Sequence, residues 1–287
     1  MEGKKLQPAY LRQRYLLSFL RQLDCGASAT DIQKLIFLDM QRTASQQYEF
    51  IPYKYGPYSF QLAEDLDILR RDSFIVLHES KYIATGIAQL CYIELPCERG
   101  DKLLKKVYEQ YPYYAINSEI LKRLFSAQEI SQFNAEKDKL HKKEQKLFTI
   151  GYEGRTLEAF VNSLIQNDVR LLCDVRYNPI SRKYGFSKTK LQHVLEAIGI
   201  HYVHIPEVGI TSDKRTTLNS YDDYEKLFSA YEKNLHCIRI YLDRIADILE
   251  KYQRIALMCY EHDPQFCHRH IIRDYLVSNY NMLCEDL

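Results

Sequence analysis

Three arginines in the second half of the chain, Arg155, Arg176 and Arg269, each stand beside a short apolar segment. A guanidinium group can hold a phosphate or a carboxylate through two parallel hydrogen bonds. The arginines therefore predict a site for a phosphorylated ligand, toward which the backbone between Gly151 and Gly154 could also direct N–H groups. The alternative is that the arginines form internal salt bridges with nearby carboxylates.

Carboxylates and histidines accompany these arginines. Glu153, Asp174 and Glu261 are candidates for general acid–base catalysis, since each closely follows an apolar segment. Three histidines could take that role instead: His204, His262 and His268. The alternative is that these carboxylates only orient the arginines and take no part in catalysis.

Cys267 is the predicted nucleophile. It precedes an apolar helical pattern and is followed by His268 and Arg269. The positive end of a helix dipole and neighbouring cations lower the pKa of a thiol and favour the reactive thiolate. The alternative is a structural cysteine in the core, where free cysteines are most often found.

Cys259, Cys267 and His268 form an alternative set of zinc ligands. The fourth ligand would come from one of three side chains: Asp174, Glu261 or His204. However, the spacing C-x7-C-H is not a common zinc signature, and the sequence has no C-x2-C pair. We therefore predict no metal, and the sequence identifies no cofactor.

The elements that must position these residues are apolar segments that alternate with helical patterns. We predict four strands, at 147–151, 169–175, 200–205 and 254–259. This alternation predicts an α/β fold with a Rossmann-like, mostly parallel sheet and flanking helices. Because ligands of such sheets bind beyond the carboxyl ends of the strands, we expect the candidate residues to meet at one edge.

A basic loop, SRKYGFSK at 181–188, follows the second predicted strand. It could contact a nucleic-acid backbone while Tyr184 or Phe186 stacks on a base. The alternative is a solvated loop that has no function.

Residues 148–280 resemble the bacterial family called domain of unknown function 488. The resemblance rests on ordered motifs: GYEGRT at 151–156, CDVRYNP at 173–179, GFSK at 185–188 and CYEHDPQFCHRH at 259–270. Val208 departs from the leucine that we expect at that position, which is a packing change. The family has no settled reaction, so the resemblance implies where the site lies and not what it does.

The first half of the chain shows three amphipathic helical patterns, followed by two short β-rich segments joined at Glu79-Ser80. This order is typical of a winged helix. Residues 15–86 resemble the winged-helix domains of Panacea-type antitoxins, through KLIFL and YEFIPYKYGPYS. We predict further helices near 103–108 and 120–125.

The winged-helix resemblance implies DNA or RNA binding, or a protein partner. The third helical pattern carries Glu64, Asp65 and Asp67, which weaken a DNA interpretation because a helix in the major groove normally presents basic or amide side chains. A tyrosine cluster could stack on bases or pack against the core: Tyr48, Tyr53, Tyr55 and Tyr58.

The composition is that of an ordinary globular protein, with 39 basic and 38 acidic residues, net charge +1 and 46% hydrophobic residues. It excludes collagen, bulk disorder and membrane-spanning helices, and gives no support to bulk polyanion binding. We predict two domains, 1–146 and 147–287, joined by a charged stretch at 136–146. The 8 scattered cysteines and the lack of a secretory signal predict reduced thiols and a cytoplasmic location.

These observations predict an enzyme that acts on a nucleic acid or nucleotide. Its phosphate would be held by Arg155, Arg176 and Arg269 at the carboxyl ends of the strands, and Cys267 or a carboxylate would carry out the reaction. The alternatives are a non-catalytic, ligand-sensing DNA-binding regulator and an antitoxin-like protein-interaction module.

Overall fold

The computed structural model describes residues 7–85, 95–215 and 220–287. The chain forms two compact units, and the boundary between them lies between Lys139 and Leu140, inside the charged stretch at 136–146. Residues 1–6, on which the expectation of no secretory signal partly rests, lie outside the described residues.

The N-terminal unit begins with helices and two antiparallel hairpins. Its elements are α1 (Leu11–Leu20), α2 (Ala29–Thr43), β1 (Ile51–Tyr53), β2 (Gly56–Tyr58), α3 (Phe60–Arg71), β3 (Ile75–His78) and β4 (Lys81–Ala84). Ser28 and Ser59 cap α2 and α3, because their side chains accept the backbone N–H groups of Asp31 and Leu62. The three helices and the final ribbon are confirmed, whereas the β1–β2 hairpin was not predicted.

Aromatic packing explains the unpredicted hairpin. The rings of Tyr53 and Tyr58 lie 5.0 Å apart and both contact Phe60, while Tyr48 is buried. The packing interpretation of the tyrosine cluster therefore holds for these three tyrosines, and Tyr55 alone of the cluster is exposed.

Three further α-helices follow in the residues that the structure describes: α4 (Gly100–Gln110), α5 (Leu121–Leu124) and α6 (Ala127–Leu140). Three charged side chains are buried in the described part of this unit: Lys34, Asp39 and Asp65. The carboxylate of Asp65 accepts hydrogen bonds from Arg12, Gln13 and Tyr48. Lys34 donates to the carbonyl oxygen of Pro57, and burial lowers its pKa to about 7.

The C-terminal unit alternates strands and helices as predicted. Its elements are β5 (Lys146–Gly151), α7 (Leu157–Gln166), β6 (Leu171–Asp174), α8 (Lys188–Glu196), β7 (His201–His204), α9 (Tyr221–Lys233), α10 (Arg239–Tyr252), β8 (Arg254–Cys259), α11 (Arg269–Tyr280) and β9 (Cys284–Asp286). The four predicted strands are confirmed. The fifth, β9, was not predicted because its three residues include two carboxylates and form no apolar run.

The five strands pair in the order β7-β6-β8-β5-β9, and all of these pairs are parallel. This parallel sheet with flanking helices fits the predicted Rossmann-like class. The chain leaves β6 toward β7 on one side and leaves β8 toward β9 on the other. The two connections diverge between β6 and β8, which creates a crevice beyond the carboxyl ends of these strands.

The three central strands of the sheet, β6, β8 and β5, are buried on both faces. On one face, Leu171 and Ile255 pack with residues of α10 and α11, among them Leu242 and Ile272. The alternate strand residues are also buried: Phe148, Ile150, Leu172, Ala256 and Met258. Within the described ranges, no helix is both long enough and apolar enough to cross a membrane.

Candidate functional site

A cavity of about 310 Å³ lies at the crevice between β6 and β8, and we call it the switch-point pocket. Its volume is within the usual range for small-ligand sites. The loops after the strands supply its lining: Tyr152, Arg176, Tyr177, Asn178, Ile180, Ser181, Arg182, Ile210, Cys259 and Tyr260. The pocket is therefore where the topology predicts a ligand.

Exposed aromatic side chains stand at this pocket. Tyr177 and Tyr260 are 50% and 45% exposed. Tyr152 is instead buried, with its ring stacked on Phe186 at a centroid distance of 4.4 Å. The two exposed rings can stack on a flat ligand, whereas Tyr152 supports the loop beneath them.

Arg176 is held by an internal network. Its Nε and Nη2 donate to the two oxygens of Asp174 at 2.8 and 2.6 Å, and its Nη1 donates to the hydroxyl of Tyr152. Tyr202 also donates to Asp174, and burial together with this carboxylate raises the pKa of the Tyr202 hydroxyl. Arg176 thus lines the pocket, but it is paired with Asp174.

Arg269 is also buried and hydrogen-bonded to other parts of the protein. It is 1% exposed, and it donates to the hydroxyl of Thr149 and to the backbone carbonyls of Glu261 and His262. The prediction that three arginines hold one phosphate is therefore corrected. Arg176 and Arg269 bind protein acceptors and hold the loops at the sheet edge, as the salt-bridge alternative anticipates for Arg176.

Arg155 differs from the other two. Its guanidinium is half-buried and has no carboxylate partner in the described part of the chain. Burial and the nearby Arg269 cation lower the pKa of Arg155. Two neighbouring cations repel each other, and a bound anion relieves that repulsion. Of the three arginines predicted to bind phosphate, Arg155 is therefore the one whose guanidinium can still bind an anion.

The candidate carboxylates lie in three different environments. Asp174 is fully buried in its pair with Arg176, which corrects its assignment as a general acid or base, because a paired buried carboxylate is not open to a substrate. Glu153 is exposed and accepts the backbone N–H of His262. Glu261 is half-buried, with Oε2 3.3 Å from the sulfur of Cys259. Glu153 and Glu261 remain the accessible acid–base candidates.

Cys267 is fully buried immediately before α11. Burial raises the pKa of its thiol well above the usual value, and contact with Cys259 raises it further. The helix end and Arg269 do not offset this desolvation. The prediction of a reactive thiolate is thus wrong: the sulfur is neither ionised by its surroundings nor accessible to a substrate.

Cys259, Cys267 and His268 form one compact buried cluster. The Nδ1 atom of His268 lies 3.7 Å from the Cys259 sulfur and 3.8 Å from the Cys267 sulfur. All three ligand atoms lie within 4.8 Å of one another. Folding therefore brings these three residues together, although their spacing in the sequence is not a common zinc signature.

One part of the basic loop at 181–188 lies at the pocket, and another part is buried in the core. Arg182 is exposed and lines the pocket, and Lys183 donates to the backbone carbonyl of Tyr152. Phe186 is fully buried, so the prediction that it stacks on a base is wrong. Its ring instead packs between Tyr152 and Phe160.

Tyr177 and Tyr260 were not among the predicted site residues, and Arg182 was predicted only as part of the basic loop at 181–188. Tyr177 and Tyr260 immediately follow residues that were singled out, Arg176 and Cys259. A search of every residue after each strand end would have found the tyrosines. The adjacency of β6 and β8 gives no signal in the sequence, because β8 comes last of the four predicted strands yet lies between β5 and β6.

A family model, Domain of unknown function DUF488, matches residues 156–276. This match supports the predicted resemblance of the C-terminal half, and it includes the loop after β6 and the cluster at Cys259, Cys267 and His268. No curated protein and no solved structure matches the chain significantly.

Proposed function

We propose that the C-terminal unit binds a nucleotide or a nucleic-acid strand in the switch-point pocket. The observation that carries this proposal is the composition of the pocket lining, where two exposed tyrosine rings and the Arg182 guanidinium converge at a topological switch point. Aromatic rings stack on bases, and an exposed guanidinium binds phosphate.

The proposed phosphate contacts are Arg155 and Arg182. Arg182 lines the pocket in an exposed loop, whereas Arg155 lies outside the pocket lining, near Arg269, and pairs with no carboxylate in the described segments. Arg176 has a positioning role in this proposal, because its pair with Asp174 fixes the beginning of the loop that carries Tyr177 and Arg182.

Binding is better supported than any one reaction. Cys267 and Asp174 are buried, and within the described residues Glu153 and Glu261 lie at the sheet edge outside the pocket lining. We propose that any turnover uses one of these two carboxylates as an acid or a base. Glu153→Gln and Glu261→Gln therefore separate an enzyme from a binding protein, since only an enzyme loses activity while it retains affinity.

Equilibrium binding of the full chain to a labelled single-stranded oligonucleotide and to mononucleotides tests the proposal. We expect the double variant Arg155→Ala, Arg182→Ala to weaken binding about tenfold or more at low salt. Arg239→Ala, which removes a 71% exposed arginine from α10, is the matched control and should bind normally. Equal binding by the double variant and the wild type would contradict the proposed site.

For the N-terminal unit we propose a winged-helix module that binds a protein partner, within a bacterial, cytoplasmic protein. The order of helices and ribbon supports the module. On the exposed side of α3, Asp67 pairs with Arg70, and an exposed carboxylate there opposes a phosphate backbone. A low-salt gel shift with duplex DNA tests this choice, because a clear shift of the full chain that Arg70→Ala, Arg71→Ala abolishes would favour DNA.

A further inference from the structure

We propose that Cys259, Cys267 and His268 bind one zinc ion at the junction of β8 and α11. Cys259 ends β8, while Cys267 and His268 stand immediately before the first residue of α11. All three side chains are buried at 1% exposure or less. This site does not depend on the proposed nucleotide binding.

The distances fit a tetrahedral metal centre. Zinc binds sulfur at about 2.3 Å and nitrogen at about 2.0–2.1 Å, so tetrahedral angles place the two kinds of ligand atom about 3.6 Å apart. The observed distances from His268 Nδ1 to the two sulfurs are 3.7 and 3.8 Å. An ion can therefore enter with only small movements of the side chains.

The orientation of His268 also fits metal binding. Its Nε2 lies 3.0 Å from the backbone carbonyl oxygen of Val175, an atom that can only accept a hydrogen bond. Nε2 therefore carries the proton, and the lone pair of Nδ1 is directed toward the sulfurs of Cys259 and Cys267. A backbone carbonyl that orients a histidine in this way is common around metal-binding imidazoles.

The donor set selects the metal. Two cysteine sulfurs and one imidazole nitrogen favour zinc over magnesium or calcium, which prefer oxygen ligands. Glu261 stands next to the cluster, with Oε2 3.3 Å from the Cys259 sulfur, so it or a water molecule supplies the fourth ligand. Binding would displace the thiol protons of both cysteines.

The proposed ion joins three parts of the sheet edge. It links the end of β8 directly to the start of α11, and it links both to Val175 after β6 through the His268 hydrogen bond. Cys259 also lines the switch-point pocket. The ion thus lies against the inner wall of the pocket and holds its two strands together.

Metal analysis of the full chain, purified under reducing conditions without chelator, tests the proposal. We expect about one zinc per chain by mass spectrometry of the metal. After removal of zinc, titration with Co²⁺ should produce a thiolate-to-cobalt charge-transfer band and the visible bands of a tetrahedral site. Wild-type protein with neither zinc nor these bands, or with a Cys259–Cys267 disulfide in place of a metal, would overturn the proposal.

Variants locate the site. Cys267→Ser and His268→Ala should each lose most of the zinc and weaken Co²⁺ binding by more than about 100-fold. Cys173→Ser is the matched control, because it changes another fully buried cysteine of the same core and should retain the metal. If the first two variants fold poorly, the cobalt spectrum of the wild type still decides whether thiolates bind the ion. Full zinc content in well-folded Cys267→Ser and His268→Ala would refute the assigned ligands.

Discussion

Asp65 in the N-terminal unit and Asp174 in the C-terminal unit are two buried carboxylates with nearly the same partners. Each has a fully buried side chain, and each accepts hydrogen bonds from an arginine and from a tyrosine hydroxyl. Arg12 and Tyr48 serve Asp65, whereas Arg176 and Tyr202 serve Asp174.

The two networks differ in where the arginine lies. Arg12 is 28% exposed and ties α1 to α3 within the helical core. Arg176 is 6% exposed and lines a pocket at the carboxyl edge of a parallel sheet. A buried carboxylate held by arginine and tyrosine is thus not in itself a sign of function. Its place in the fold decides whether it can serve a ligand.

Asp174→Ala should have the largest effect. It leaves Arg176 buried without its counter-ion, which costs about 3–5 kcal/mol of unfolding free energy, and it releases the loop that carries Tyr177 and Arg182. Urea unfolding measures the loss of stability, and oligonucleotide titration should show that affinity falls as well. Unchanged affinity in a folded Asp174→Ala protein would mean that the network has no influence on the pocket.

Asp65→Ala should destabilise the chain less, by about 2–3 kcal/mol. Arg12 can turn toward solvent, but the buried amide of Gln13 loses its carboxylate acceptor, and the Tyr48 hydroxyl keeps only the backbone carbonyl of Arg12. The same urea unfolding experiment measures this loss. We expect ligand affinity to be unaffected, and a loss of affinity equal to that of Asp174→Ala would remove the distinction between the two networks.

Lys34→Met should stabilise the chain by about 2 kcal/mol at pH 6, since it removes a buried cation. Among the described residues, no carboxylate lies as close to Lys34 as Asp174 lies to Arg176. The pKa of Lys34 is about 7 in the folded chain and about 10.4 in the unfolded chain. Between these values the unfolded state holds the extra proton, so wild-type stability rises with pH. The advantage of methionine should therefore be complete below pH 7 and fade as the pH rises toward 10.4.

Unfolding curves at pH 6 and pH 9 measure this trend. Lys102→Met, at an exposed position of α4, is the control and should show little change at either pH. A stabilisation by Lys34→Met that is the same at both pH values would show that the charge of Lys34 is not its cause.

Tyr260→Leu compares an exposed ring at the pocket with an exposed ring of the N-terminal unit. Its expected effect on binding is the smallest in this series. Loss of one stacking ring should weaken oligonucleotide binding by about 1–2 kcal/mol, with stability nearly unchanged because the ring is 45% exposed. Tyr55→Leu removes a ring of similar exposure, 47%, from the N-terminal unit. In fluorescence titrations we expect only Tyr260→Leu to bind more weakly, and an equal loss in both variants would argue against the switch-point pocket.

Local patterns predicted the elements of this fold well. The strands of the C-terminal unit are apolar runs, and Thr156 caps α7 through the backbone N–H of Ala159, as its position before an apolar helix indicates. The β3–β4 ribbon was also found, with its turn at Glu79 and Ser80. These features depend on residues that are neighbours in the sequence.

Features that depend on distant residues were not predicted. The partners of Arg269 are backbone carbonyls that approach only after β8 is inserted beside β5, and no residue type signals a carbonyl acceptor. For Cys267, the local pattern indicated the helix end but gave no measure of burial, which sets the thiol pKa. The identities of the edge residues were thus predictable, whereas their charge states and partners were not.

Gly151 lets the loops after β5 and β8, which form one wall of the switch-point pocket, pack backbone against backbone. A side chain at this position would place its first carbon 1.8 Å from the Glu261 carbonyl oxygen, so the backbones after β5 and β8 are in direct contact. The backbone N–H groups of Tyr152 and Glu153 also donate to the carbonyl of Tyr260. The loops after β5 and β8 are therefore joined through their backbones, whereas the loop after β6 is joined to them through side chains such as Arg176, Lys183 and Phe186. We expect adjustment to ligands of different size to take place in the loop after β6, where side chains can change rotamer.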